Sequence, residues 1–380
     1  MQQESYESSF SPLAGKLVVE FAGIGPGPFC GMLLGDLGAR VIRIDRPRAS
    51  TGELSEETLA SYRREVMGRS KWSIALDLKS DESAEIVKGL IARADVLLEG
   101  YRPGVMERLG YGPEEAFALN EALIYARMTG WGQSGPLANL AGHDLNYISV
   151  AGVLSMIGPK DGPPSIPLNL VGDFGGGGMY MAFAIAASLA TPPSQRHRIV
   201  IDTAMCEGAA TLASMIFGMR GAGGWVDQRE SNLIDGGAPF YRIYRCSDGG
   251  YLGVAALEVQ FYQELIGRLG VADEAAFSAQ YRTETWPQMR SAFEAIFASK
   301  PRGYFEELLA GCDACSFPVY SPEEALAHPH NVARGAFVEM AGVTQPAPGP
   351  LFNGSRPTKP GLPPYPDEHR REVLDLLEAT

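Results

Sequence analysis

The chain is 380 residues long, which leaves room for two ordinary domains, each with its own core. A formal net charge of -13 excludes a general nucleic-acid binder, which needs a basic face to neutralise phosphates, so an anionic ligand must be met by a local basic patch. Five irregularly spaced cysteines exclude a disulfide framework and point to a reducing compartment with no disulfide.

Met1-Gln2-Gln3-Glu4-Ser5-Tyr6 lacks the basic and apolar regions of a signal peptide, and no stretch reaches the roughly 18 to 20 apolar residues of a membrane span. The expectation is a cytoplasmic protein without membrane insertion. A strand over 16–22, a helix near 28–37 stopped by Gly38, and a strand over 40–45 form a βαβ unit, which implies a parallel sheet. After a third strand, the rhythm continues with a helix over 81–93 that carries Ile86, Val87, Leu90 and Ile91 on one face, then a strand over 96–99. A helix over 113–120 and a strand over 123–128 follow, then a buried helix over 179–189 and a last strand over 198–202. A helical stretch near 206–220 leads into Gly221-Ala222-Gly223-Gly224, read as a linker. Strands over 240–245 and 251–256 flank the hairpin signal Ser247-Asp248-Gly249-Gly250, ahead of helices at 260–269, 286–298 and 302–309, an α+β pattern. A proline-rich tail over 346–366 ends in a short helix, 367–378, and is expected to return to the first domain.

His143, in Ala141-Gly142-His143-Asp144-Leu145-Asn146-Tyr147, and Asp173, in Gly172-Asp173-Phe174-Gly175-Gly176-Gly177-Gly178, each stand at a helix start. An imidazole and a carboxylate on opposite sides of one acidic C–H are what a cofactor-free α-proton exchange needs, since both can give and take a proton. The bland alternative for Asp173 is an N-cap. That position is expected to lower its pKa, and the glycines to let a ligand reach backbone donors that steady an enolate oxygen.

Other motifs carry less. Gly23-Ile24-Gly25-Pro26-Gly27-Pro28 follows a strand, but Pro28 and Cys30 occupy the third-glycine positions of a dinucleotide fingerprint, and the prolines remove N–H donors. Cys312-Asp313-Ala314-Cys315 has metal-site spacing without a second pair and reads as packing; no metal site is expected. His197, His328, His330 and His369 read as solvated imidazoles, and an isolated Glu258 as a solvated charge. Arginines and lysines cluster near strand ends, at Arg43, Arg46, Arg48, Arg63, Arg64, Arg69, Lys71, Lys79, Arg102 and Arg108, where a parallel sheet meets a polyanionic nucleotide such as coenzyme A.

Glu20-Phe21-Ala22-Gly23-Ile24-Gly25-Pro26-Gly27-Pro28, Gly35-Asp36-Leu37-Gly38-Ala39, Leu76-Asp77-Leu78-Lys79, Glu99-Gly100-Tyr101-Arg102-Pro103-Gly104 and Met128-Thr129-Gly130-Trp131-Gly132-Gln133 together resemble the family III CoA-transferase superfamily, most of all its racemase branch. The resemblance runs in order over almost the whole chain; 49–62, 191–197 and Pro366-Asp367-Glu368-His369 match loosely. It implies an α/β fold in which a Rossmann-like large domain with a parallel sheet (1–205 and 331–380) joins a smaller α+β domain (240–330) through a linker (206–239), in an interlocked homodimer. It further implies His143 and Asp173 as catalytic bases, with Glu258 as partner of His143 and Asn169 as partner of Asp173. The CoA contacts it implies are Arg46, Leu76, Asp77, Leu78, Lys79, Gly100, Tyr101, Arg102, Arg108, Gly142, Asp144, Leu145, Asn146 and Tyr147. The reaction implied is epimerisation of 2-methylacyl-CoA thioesters without a separate cofactor, coenzyme A being part of the substrate. The rival is a true CoA transferase with Asp173 as nucleophile, which usually lacks the histidine and can carry a glycine-rich loop where this chain has Val254-Ala255-Ala256-Leu257-Glu258. A non-catalytic acyl-CoA-binding protein is the third reading, disfavoured by the three acid-base residues. The C-terminal Leu377-Glu378-Ala379-Thr380 is no Ser-Lys-Leu address, in keeping with the cytoplasm.

Overall fold

Apolar runs such as Leu17-Val18-Val19 suit strands covered on both faces, and the computed structural model, which describes residues 10–48 and 52–379, places them in one six-stranded parallel sheet. Along the chain come β1 (Leu17–Phe21), α1 (Pro26–Asp36), β2 (Arg40–Asp45), α2 (Glu56–Arg63), β3 (Lys71–Ala75), α3 (Asp81–Arg93), β4 (Val96–Glu99), α4 (Val105–Arg108), α5 (Pro113–Leu119) and β5 (Ile124–Thr129). After α6 (Asp144–Val150), a wide π-type helix over Leu170–Met179 continues into α7 (Tyr180–Leu189), followed by β6 (Ile199–Ala204) and α8 (Met205–Leu212). The sheet order β3-β2-β1-β4-β5-β6 is that of a doubly wound Rossmann-like fold. Its direction reverses between β1 and β4, so the loops leaving their carboxyl ends diverge and open a crevice. Apolar clusters fill both faces, one around Val19, Ile42, Leu90 and Tyr125, the other around Val18, Leu34, Val96 and Ile185.

A second compact unit takes Gly152–Pro167 and Ala213–His328. It holds α9 (Ser214–Gly221), β7 (Tyr241–Arg245), β8 (Tyr251–Ala255), α10 (Val259–Arg268), α11 (Trp286–Ala298), α12 (Arg302–Leu308), β9 (Ser316–Pro318) and α13 (Pro322–Ala327), with a three-stranded antiparallel sheet. Aromatic side chains dominate its core, among them Phe240, Tyr244, Phe277, Phe293 and Phe297. Cys312 and Cys315 pack against this core, as expected of structural thiols. The chain then returns to the first unit through α14 (Pro329–Ala333), the hairpin β10 (Phe337–Met340) and β11 (Val343–Pro346), and α15 (Arg370–Glu378).

The unit boundaries differ from those expected. The supposed linker is divided, because the anticipated helix over 206–220 breaks at Ala213 (φ -90°, ψ 10°) into α8, which packs on the π-type helix of the first unit, and α9, which belongs to the second. Residues 152–167 also join the second unit. Of the segments noted in the sequence, Met1–Tyr6, Ala49–Thr51 and Thr380 lie outside the described residues. Contrary to the expectation of no such stretch, Leu170–Leu189 is 20 residues of helix, with a mean hydropathy of 1.2 over its most apolar part, long and apolar enough to cross a membrane. The glycine run and Asp173 mask this continuity when the sequence is read alone. In the fold, 39% of that window is buried inside the molecule.

The edge strand β3 does not stand open. The Ser73 N–H donates to His369 Nδ1 (3.3 Å) and its carbonyl accepts from the His369 N–H (3.0 Å). The Ala75 N–H donates to Asp367 Oδ1 (2.9 Å) and its carbonyl accepts from Arg370 (2.6 Å). His369 is therefore not the solvated imidazole expected: it is half-buried and stacked on Trp72 at 5.8 Å between centroids.

Candidate active site

The glycine run is explained by packing. A Cβ at Gly176 would stand 2.5 Å from Ala209 N, and one at Gly178 would stand 2.6 Å from Phe29 Cδ1 and 2.9 Å from Pro26 O. The run lets the π-type helix sit on α8 and α1, so its glycines serve close helix approach rather than the ligand access expected of them. Asn169 occupies the N-cap position, and Asp173 lies inside the first turns, not at the cap.

Asp144, the first residue of α6, supplies the cap instead. Its Oδ2 accepts the N–H groups of Gly172 (2.6 Å) and Asp173 (2.7 Å), satisfying donors that a helix start leaves free. Asp144 is only 5% exposed, and its Oδ1 has no hydrogen-bond partner among the described residues. The side chain of Asp144, a residue expected among the CoA contacts, thus turns inward onto the helix that carries Asp173. Its neighbour His143 is the N-cap of α6 and is exposed; its N–H donates to Asn146 Oδ1 at 3.1 Å.

Asp173 is half-buried, and its pKa is raised, chiefly by burial. The Asn169 amide, donating at 3.3 Å, opposes the shift; the charge of Asp144 reinforces it and His143 works against it. This overturns the lowered pKa expected from a helix start, because here the first-turn N–H groups are spent on Asp144. A carboxyl pushed towards its protonated form is suited to deliver a proton as well as take one. Gly25, at φ 72° in the loop after β1, brings backbone close: a Cβ there would lie 3.8 Å from Asp173 Oδ2.

Tyr147 connects this centre to the crevice. Its hydroxyl donates to the Gly142 carbonyl, its ring meets Trp131 edge-on at 4.9 Å, and its pKa is raised by burial first and by Asp173 next, while Arg102 pulls it down. Arg102 in turn lines a cavity of about 620 Å³ with Arg46, Leu76, Asp77, Leu78, Lys79 and Tyr101, all expected to meet CoA. Tyr101 reaches across the switch point to the Ala22 carbonyl at 3.4 Å. Gly100 is exposed beside this cavity's Tyr101, and Arg108 is the last residue of α4, its Nη1 folding back to 3.2 Å from where a Cβ on the N-cap Gly104 would lie. Leu145 and Asn146 are exposed on α6. Glu258 belongs to the second unit, where it is exposed as the N-cap of α10 beside the Cys315 thiol, whose pKa is raised by burial and by that glutamate.

Three of the basic residues grouped with this patch in the sequence are not available to a ligand. Arg43 pairs with Asp45 (2.9 Å), Arg69 with Asp36 (2.5 Å) and Lys71 with Glu20 (2.7 Å), all buried at the cationic side. What sequence reasoning missed is the cap formed by Asp144; the one available signal was an aspartate following the histidine immediately, where two adjacent residues at a helix start must point in different directions.

A family model described as CoA-transferase family III matches residues 13–370. Alpha-methylacyl-CoA racemase of Mus musculus is 42% identical over 95% of this chain and 92% of its own length, and that of Homo sapiens is 42% identical over 96% and 92%. Succinyl-CoA--D-citramalate CoA-transferase of Chloroflexus aurantiacus is 29% identical over 97% and 95%. Among solved structures, a CAIB/BAIF family protein from Brucella suis superimposes with a TM-score of 0.81 at 26% identity, covering 97% of this chain and 100% of that one. The Rossmann-like sheet order, the crevice at its switch point and these matches lead to one conclusion: the chain belongs to CoA-transferase family III.

Proposed function

We propose that the protein is a racemase that interconverts (2R)- and (2S)-2-methylacyl-CoA thioesters by 1,1-proton transfer. One observation carries the reading: His143 caps α6, Asp173 lies in the first turns of the π-type helix, Asp144 ties these two helices together, and the Asp173 carboxyl is held above its usual range. The similarity to mouse and human racemases over nearly the full length supports it. His143 takes the C2 proton from one face, the bonding pair moving onto the thioester oxygen as an enolate. Protonated Asp173 then returns a proton to C2 from the other face, leaving His143 protonated and Asp173 ionised until exchange with water resets them. For the opposite enantiomer the roles reverse.

In this reading coenzyme A enters as part of the substrate, its phosphates met by Arg46, Lys79, Arg102 and Arg108, and no separate cofactor or metal takes part. Glu258 orients His143 within a homodimer, and Asn169 holds Asp173. The exposed Met179, Tyr180, Phe183 and Leu212 form apolar surface that a second copy would cover, which supports the homodimer. Five free thiols support a cytoplasmic site of action in lipid metabolism.

The test is incubation with enantiopure (2R)- and, separately, (2S)-2-methylacyl-CoA in deuterated buffer without an acceptor acid. Deuteration at C2 with epimerisation from both substrates is expected. No exchange, with CoA passing to an added carboxylic acid, would replace the reading by a transferase with Asp173 as nucleophile.

A further inference from the structure

Lys71 opens β3 with its side chain wholly buried. Its Nζ donates to Glu20 Oε1 on β1 and to the Pro28 carbonyl in the first turn of α1, both at 2.9 Å, and lies 2.7 Å from Glu20 Oε2. Glu20 is 1% exposed, so neither charge has water to lean on. Taking such a pair out of water is costly, and apolar side chains of similar volume commonly do as well for stability. What an apolar replacement lacks is direction: an ammonium with two fixed acceptors holds one carbonyl at one place.

The turn that is held touches the helix of Asp173. Phe29 packs edge-on against Phe174 at 4.9 Å between centroids, Gly178 faces Pro26 O, and Gly25 faces Asp173 Oδ2. Gly31 completes the arrangement, because any Cβ there would run into the Glu20 carboxylate. We infer that Lys71, with Glu20 as counter-ion, is a positioning residue for Asp173: through the Pro28 carbonyl it fixes the first turn of α1 against the helix that carries the base. The inference rests on the racemase reading.

The decisive variant is the double substitution Glu20→Leu with Lys71→Met, which leaves no lone buried charge. Wild type and variant are compared in thermal unfolding, in kcat and KM for epimerisation in both directions, and in the pH dependence of kcat. A folded variant is expected to keep KM within about twofold while kcat falls about 10- to 100-fold, as for a base misplaced by a fraction of an ångström to 1 Å. The acid limb of its kcat profile should move to lower pH, because a loosened turn lets water reach the carboxyl; a partly unfolded population would lower kcat without moving that limb. Unchanged kcat and acid limb in the folded variant overturn the inference. If the double variant does not fold, Gly31→Ala decides alone: it keeps both charges, displaces the carboxylate from Lys71 and should give the same split, whereas wild-type kinetics would overturn the inference. Wild type that fails to exchange C2 would instead remove the racemase reading.

Discussion

Asp144 is where stability and chemistry meet in this fold. In Asp144→Ala, the N–H groups of Gly172 and Asp173 lose a charged acceptor that they now share at 2.6 and 2.7 Å. Hydrogen bonds to a charged group contribute about 1.5–3 kcal/mol each, and the relief of burying a carboxylate oxygen without a partner offsets part of the two, which leaves a net loss of about 2–4 kcal/mol. For a chain of this size that corresponds to a drop in thermal midpoint on the order of 5 °C. Asp144→Asn separates charge from shape. It keeps one acceptor oxygen and the same outline but removes the negative charge that helps hold the Asp173 carboxyl up. The assay is the pH dependence of kcat for epimerisation with Asp144→Asn, alongside thermal unfolding of both variants. The acid limb should move to lower pH in Asp144→Asn. An acid limb at the same or higher pH, or an Asp144→Ala protein as stable as wild type, would refute the assignment of Asp144 as cap and field source.

Asp173→Asn should abolish exchange yet raise the thermal midpoint near pH 7. Burial raises the folded-state pKa of Asp173, so its contribution to stability is present below the unfolded value and lost as pH rises through the folded one, and a neutral amide escapes that loss; thermal unfolding at pH 7 showing no gain counts against it. His369 behaves in the opposite sense: burial lowers its pKa, outweighing Glu368 and Glu372, so its stabilisation is present above the unfolded value of about 6.5 and lost as pH falls through the folded one. His369→Gln should flatten the loss of thermal midpoint on acidification below pH 6.5, and an unchanged slope would show that the ring is not the titrating group. Gly176→Ala puts a methyl group 2.5 Å from rigid backbone at Ala209 and should cost about 1–3 kcal/mol with a loss of activity, read by unfolding and epimerisation together.

The sheet was legible because strands buried on both faces need unbroken apolar runs, and 96–99 reads directly as β4. The helix over 81–93 likewise shows its inward stripe of Val87, Leu90 and Ile91. The helix over 206–220 misled because apolar periodicity continues through Ala213, where the backbone departs from the helical path. His143 and Asp173 stood out by residue type and order, Asn169 beside Asp173 only through the family resemblance, and the cavity-lining Arg46, Lys79 and Arg102 as basic residues near strand ends. The direction of the Asp173 shift was not legible, since it depends on where the Asp144 carboxylate points. Nor did counting basic residues separate the cavity-lining Arg46 from Lys71, which tertiary pairing removes from any surface.

The closure of β3 by residues 367–370 sets an order of events for a chain made from its N-terminus. All six strands of the sheet have left the ribosome once Ala204 is out, but Ser73 and Ala75 still present free donors and acceptors along one rim. The whole second unit and the hairpin of β10 and β11 must be synthesised before the last few residues arrive to cover it. During that interval the nascent protein carries an exposed strand edge, the surface through which unfinished chains pair with one another.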